Sequence, residues 1–129
     1  MSGRFDPRQL VVSVEHASNA LPPELKGMVP QSWLATHHGW DPGAPEVGRF
    51  VSDAFGAPLH EGRYTRLVAD LNRSANHKRV VPPTTGHRVL KENAALDRRG
   101  RQERLERYWY PYRNAVEADL DRAAARYGL

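Results

Sequence analysis

No cysteine occurs among the 129 residues. Disulfides and thiolate metal sites are therefore excluded, and any metal must rest on His, Asp or Glu. Long apolar runs are missing too. None approaches the ~20 residues that a membrane helix needs. The opening Met1-Ser2-Gly3-Arg4-Phe5-Asp6-Pro7 lacks the apolar segment of a secretory signal, which makes the cytoplasm the default location. There is no repeat, no low-complexity tract and no composition shift that would mark a boundary, so residues 1–129 read as one α/β domain. Acid is the scarcer charge. Asp and Glu number 15 against 19 Lys and Arg, for a net charge of +4 and a pI of about 9.8. With 40% hydrophobic and 26% charged residues, the composition is globular rather than disordered.

A basic balance raises nucleic acid as a partner. The densest cluster is Asp97-Arg98-Arg99-Gly100-Arg101-Gln102-Glu103-Arg104-Leu105-Glu106-Arg107. Acids are interleaved, and Asp97/Arg101 and Glu103/Arg107 have the i,i+4 order of a solvated helical face. No RNP, KH or helix-turn-helix pattern accompanies the charge. Tyr108, Trp109 and Tyr112 share a helical face with Leu105, as core residues do. Nucleic acid is thus the weaker expectation.

Leu10–Val14 reads as a short buried strand. A helical turn is expected after Pro22-Pro23, and a short helix from Gln31 to Ala35. Asp41-Pro42-Gly43-Ala44 is a loop signal. From Pro45, the residues Val47, Phe50, Val51, Ala54 and Phe55 have helical spacing, which Gly56 stops. Ala57–His60 and Arg66–Leu71 read as further strands, the latter with Leu67, Ala69 and Leu71 on one face. Residues 74–95 read as loop. Asp97 to Tyr127 reads as helix, divided or kinked at Pro111 and ending at Gly128 as C-cap, with an apolar stripe of Leu105, Tyr108, Trp109, Tyr112, Val116 and Leu120. The alternation predicts α/β, with an open, mainly parallel or mixed sheet and flanking helices.

Three polar clusters stand out: Glu15-His16-Ala17-Ser18-Asn19, Thr36-His37-His38-Gly39-Trp40-Asp41-Pro42-Gly43-Ala44, and Tyr64-Thr65-Arg66-Leu67-Val68-Ala69-Asp70-Leu71-Asn72-Arg73. The first and third lie at expected strand ends, where open α/β sheets place ligands. His16 and Asp41 are donors that Zn²⁺ accepts without cysteine. Arg66, Asn72 and Arg73 can hold a carboxylate, since a guanidinium forks onto it through two hydrogen bonds. Together they describe a metallohydrolase for a small acidic amide. Blander roles exist for each. His16 could be a core or capping residue, His37 and His38 surface residues, Asn72-Arg73 a turn, and Ser18 or Asn19 a helix cap.

The motifs Glu15-His16-Ala17-Ser18-Asn19, Leu21-Pro22-Pro23-Glu24-Leu25, His37-His38-Gly39-Trp40-Asp41-Pro42-Gly43-Ala44 and Arg66-Leu67-Val68-Ala69-Asp70-Leu71-Asn72-Arg73, in that order, resemble the N-formylglutamate amidohydrolase family. The resemblance runs from Leu10 to Ala125. It implies the first half of a zinc-carboxypeptidase-like (phosphorylase/hydrolase-like) fold. It also implies a zinc-dependent hydrolysis of N-formylglutamate, a small acidic N-acyl amino acid, to glutamate and formate. On that resemblance His16 and Asp41 are metal ligands, with His37 as a third. Arg66 steadies the oxyanion or a substrate carboxylate, and Asn72 and Arg73, with Ser18 and Asn19, bind substrate. The chain is about half the family's usual length. The resemblance therefore implies that a further strand with another His, and the general acid/base, come from the other half. His60, His77 and His87 lie in segments with no matching motif.

Two rivals stand beside the enzyme: a family member that binds without turnover, and a basic nucleic-acid-binding domain. The α/β pattern also stops one strand short. That predicts an unpaired strand edge and uncovered apolar surface near His16, closed by homo-oligomerisation or by the remaining half.

Overall fold

The computed structural model describes residue 6 and residues 9–127. In chain order it contains β1 (Val12–Val14), a 3-10 turn (Pro23–Leu25), α1 (Gln31–Leu34), α2 (Ala44–Phe55), β2 (Leu59–Glu61), β3 (Thr84–Thr85), β4 (Arg88–Val89), α3 (Lys91–Ala94), α4 (Arg98–Tyr108) and α5 (Tyr110–Tyr127). The fold is α/β, but its strands form two small sheets rather than one open sheet. β1 and β2 pair in parallel, with Val12 opposite Leu59, Ser13 opposite His60 and Val14 opposite Glu61. β3 and β4 form an antiparallel hairpin across Gly86-His87. None of the described helices is long and apolar enough to cross a membrane. The expected cap Gly128 lies outside the described residues.

A parallel pair needs a crossover, and α1 and α2 supply it. α2 comes down directly on β1. A Cβ on Gly48 would stand 2.4 Å from Val14 Cγ2, so only glycine permits this approach. The helix spans the expected range and ends at Gly56, at φ 63°. Its apolar spacing does not mark its buried face, however. Pro45 and Gly48 are buried, while Val47, Phe50 and Phe55 are 64%, 74% and 44% exposed.

The expected strand at Arg66–Leu71 is absent; residues 66–68 and Leu71 lie in turns, and Ala69 and Asp70 are irregular. The reason is burial on every side. Leu67 and Val68 join one core cluster, with Leu25, Val29, Leu34 and Leu90. Ala69 and Leu71 join another, with Val80, Leu105 and Trp109. A strand presents alternate residues to alternate faces, and this segment has no solvent face to alternate with. Its buried backbone still needs partners. Asn93 Nδ2 donates to Leu67 O at 2.7 Å, Arg104 Nη1 to Val68 O at 3.1 Å, Arg113 Nη1 to Leu71 O at 3.0 Å and Trp109 Nε1 to Arg73 O at 3.0 Å. Side chains replace the ladder.

The expected solvated face on α4 is present, with Arg98, Arg99, Gln102, Glu103, Glu106 and Arg107 exposed, but the same need turns two of its arginines inward. Arg104 is buried, and Arg101 Nη2 donates to the carbonyls of Ala75 and His77, both at 2.9 Å. Asp97 is an N-cap, accepting from Gly100 N at 2.7 Å. Arg107 pairs with Glu24 at 3.2 Å, and the i,i+4 pair that forms is Arg99–Glu103 at 3.2 Å. Cations drawn into backbone contacts are lost to a nucleic-acid surface. Pro111 does divide the helix, at Trp109, between α4 and α5. The apolar stripe buries Leu105 and Trp109 but leaves Leu120 49% exposed. Residues 74–95 are not all loop, since they hold β3, β4 and α3. Strands of two residues carry no periodicity to read.

Candidate functional site

His16 follows β1 by two residues and is buried, 7% exposed. Backbone contacts bring the second cluster to it. Asp41 N donates to His16 O at 2.9 Å. Gly39 O accepts from Thr65 Oγ1 at 2.6 Å and from Arg66 N at 3.3 Å, tying the third cluster to the second. Gly39 is required there, because a Cβ would sit 2.3 Å from Leu34 O.

The His16 ring lies between two carboxylates. Nδ1 is 3.2 Å from Asp41 Oδ2, and Nε2 is 2.6 Å from Asp70 Oδ1. The Asp70 contact is the shorter and is buried at both ends. Assigning the proton to Nε2 makes it the donor to Asp70 and leaves the Nδ1 lone pair facing the Asp41 carboxylate. A lone pair facing an anion is repulsive until a cation lies between them. A ligating histidine in proteins characteristically donates its other N–H to a carboxylate, and Asp70 holds that place here.

Asp70 lies within the third motif, and the motif by itself assigns it no role. It is the hub. Its Oδ2 accepts from Arg66 Nη2 at 2.8 Å and Arg73 Nε at 3.2 Å, and its Oδ1 also accepts from Asn72 N at 3.0 Å. Burial by itself pushes this carboxyl up. The His16 hydrogen bond and charge, Arg66 and the Asn72 amide outweigh it and hold the carboxyl well below the usual range. The available signal was an acid inside the apolar run Leu67–Leu71, since a buried carboxylate must be paired.

Two concavities flank this hub. A cavity of about 220 Å³ is lined by His37, His38, Arg66, Asp70, Arg73 and Arg79, among others. A groove of about 460 Å³ is lined by β1, by Ala44, Val47, Gly48 and Val51 of α2, and by His16, Asp41 and Asn72. Another cavity, of about 510 Å³ near Tyr64, Tyr108 and Tyr112, holds none of the His16–Asp41–Asp70 set.

The structure thus brings His16 and Asp41 together. It does not bring His37 to them: His37 packs on His38, ring centroids 4.2 Å apart, and lines the cavity rather than the groove. Among the described residues no three His, Asp or Glu side chains are grouped to hold one ion. Asn72 and Arg73 part company, Asn72 lining the groove and Arg73 the cavity. Ser18 Oγ accepts from Ala20 N at 3.0 Å, a turn contact, and neither Ser18 nor Asn19 lines either concavity. Arg79 is a cavity residue that no motif indicated.

Known proteins are similar to this chain over most of its length. The N-formylglutamate deformylase of Pseudomonas putida is 28% identical over 130 residues, which cover 92% of this chain and 48% of that one. The N-formylglutamate deformylase of Pseudomonas aeruginosa is 26% identical over the same shares. A crystal structure of an Agrobacterium tumefaciens gene product matches with a TM-score of 0.84 at 29% identity, over 90% of this chain and 46% of that one. The chain therefore spans about half the length of the curated relatives it matches. The family model for N-formylglutamate amidohydrolase matches residues 8–129, and this chain belongs to that family.

Proposed function

We propose that the chain forms one side of a metal-dependent amidohydrolase site for N-acyl acidic amino acids of the N-formylglutamate type. The carrying observation is His16, held by Asp70 on one ring nitrogen and facing Asp41 with the other, beside a cavity bearing Arg66, Arg73 and Arg79. The relatives' names support the substrate class.

The donor set suits zinc in part. Bonds of ~2.0–2.2 Å at tetrahedral angles put neighbouring ligand atoms somewhat over 3 Å apart, and His16 Nδ1 and Asp41 Oδ2 stand 3.2 Å apart. They supply two positions, and a third is not grouped with them among the described residues. A bound Zn²⁺ would polarise the amide carbonyl and activate a water. The chain's own residues do the rest. Asp70 fixes the ring and tautomer of His16. Arg66 is partly exposed and uses Nη2 on Asp70, so its other N–H groups can meet an oxyanion or a carboxylate. Arg73 and Arg79 make the cavity cationic, which favours a carboxylate over a neutral side chain.

The test is Arg73→Lys. Lysine keeps the charge but loses the fork. Calorimetric binding of N-formylglutamate should weaken by roughly 1–3 kcal/mol, the scale of a charged hydrogen bond, while a neutral N-formyl amino acid is unaffected. Equal affinity for acidic and neutral amides, before and after the change, rejects the clamp. A second function, binding without turnover, is favoured by the two-donor metal site. It predicts the same selectivity with no formate released.

A further inference from the structure

We infer that His77 and Arg73 together seat one carboxylate oxygen of the ligand, at the margin of the cavity lined by Arg73 and Arg79, which makes His77 a ligand-binding residue. The inference deepens the proposed function and rests on it for the acidity of the ligand.

Two donors meet here without an acceptor. Arg79 N donates to His77 Nδ1 at 2.9 Å, a bond that only an unprotonated Nδ1 can accept. The ring then carries its proton on Nε2. Nε2 stands 3.2 Å from Arg73 Nη1, and a guanidinium nitrogen has no lone pair to offer. The contact is therefore donor against donor, and it is repulsive until an acceptor draws both groups. An oxygen about 2.8 Å from each nitrogen would complete a near-equilateral triangle and accept from the two together.

Both donors are held ready. Arg73 Nε is fixed on Asp70 Oδ2 at 3.2 Å, and the Arg73 carbonyl accepts from Trp109 Nε1 at 3.0 Å. His77 O accepts from Arg101 Nη2 at 2.9 Å and from Val80 N at 3.1 Å. Donors fixed in advance lose little freedom when an anion arrives. Both side chains are half-buried, so a ligand can reach them. Charge points the same way. Arg66 and Arg73 share the single Asp70 carboxylate, and Arg79, braced on Thr84 O at 2.8 Å, has no acid partner among the described residues. A singly charged carboxylate suits the seat better than phosphate, because Asp70 already places one anion beside Arg73. The blander role for His77 is the turn contact to Arg79 N. Asparagine would serve that contact through its side-chain oxygen, as in an Asx-turn, but it has no counterpart of Nε2.

Nitrogen NMR of the His77 ring tests the seat directly, in the 129-residue chain titrated with N-formylglutamate, glutarate and inorganic phosphate at constant ionic strength. Both carboxylates should shift the Nε2 signal, and phosphate should not. His77→Asn keeps the turn acceptor and removes the donor. Calorimetric binding of N-formylglutamate should then weaken by about tenfold, with the unfolding midpoint unchanged. His77→Gln brings a donor towards the Nε2 position but gives up the turn contact, so it should bind more tightly than His77→Asn and unfold more easily. Unchanged binding in His77→Asn, beside weakened binding in Arg73→Lys, overturns the inference and leaves the proposed function standing. An Nε2 shift with glutarate, beside equal affinity for acidic and neutral N-formyl amino acids, does the reverse. An Nε2 signal that neither carboxylate moves, or that phosphate moves as far, also overturns the inference. So does His77→Gln binding no better than His77→Asn, which would assign the ring to the turn alone.

Discussion

Asp70 is 3% exposed and accepts from the side chains of His16, Arg66 and Arg73 and from the Asn72 amide. Removing it would leave two guanidinium groups and an imidazole facing a void, and breaking a buried charged pair costs about 3–5 kcal/mol. Asp70→Ala should therefore lower stability by that order in urea unfolding. A midpoint unchanged from the parent would mean that the arginines find other partners and that Asp70 is no hub. At this scale the sequence was half legible. His16 and Asp41 could be picked because their types and motifs suggest metal donors. Asp70 could not be ranked, since its importance comes from groups 54 and 4 residues away that converge only in the fold.

β1, β2 and α2 hold the rim in place, and Gly48 sets their spacing. Gly48→Ala gains up to ~1 kcal/mol of helix propensity but drives a Cβ to 2.4 Å from Val14 Cγ2. Overpacking of that kind costs roughly 1–3 kcal/mol, so a net loss in thermal unfolding is expected, relieved by adding Val14→Ala. A more stable single variant would show that α2 can ride away from β1 freely. α5 is tied to β2 by His60 Nε2 to Asp119 Oδ2 at 2.6 Å. Hydrogen bonds from Arg122 and His60 hold the Asp119 carboxyl below its ordinary 3.8. A carboxyl lowered in the folded state contributes stability above its unfolded value, and that contribution is lost as pH falls through the folded one. Amide exchange in α5 should thus quicken as pH falls below the ordinary carboxyl value of 3.8, and Asp119→Asn should flatten that change. Identical pH profiles for the two proteins would remove Asp119 from the docking. Helices were the legible elements, because α2 and α4–α5 are long enough to show period and caps. The segment Arg66–Leu71 misled, because an apolar run looks the same whether a ladder or side chains satisfy its backbone.

At the scale of the whole molecule, two grouped donors in place of three among the described residues predict weak metal binding. Catalytic zinc rests on three protein ligands, so the chain alone should lose Zn²⁺ to a modest chelator, and His16→Ala should abolish what binding remains. Formate release from N-formylglutamate by the chain alone should be undetectable beside a full-length relative. Stoichiometric, His16-dependent zinc with turnover would show that a third donor, His37 first among them, swings into place. The net charge of +4 does not alter this picture. Arg101, Arg104 and Arg113 are engaged by backbone carbonyls, so much of the basic excess serves the core rather than a polyanion.

The sequence by itself determined the α/β class, the crossover from β1 to β2, the division of the last helix at Pro111 and the family. Each is written in local patterns: apolar period, turn residues, a missing proline N–H, and motifs in order. Only the tertiary structure decided that His16 is shared between Asp41 and Asp70, and that Asn72 and Arg73 serve different concavities. It alone decided that two arginines, Arg104 of α4 and Arg113 of α5, cap an irregular core segment, and that α2 turns Phe50 outward. The physical reason is common to all four. Which side a residue faces, and which distant partner satisfies it, depends on close packing between segments that carry no trace of one another in their local sequence.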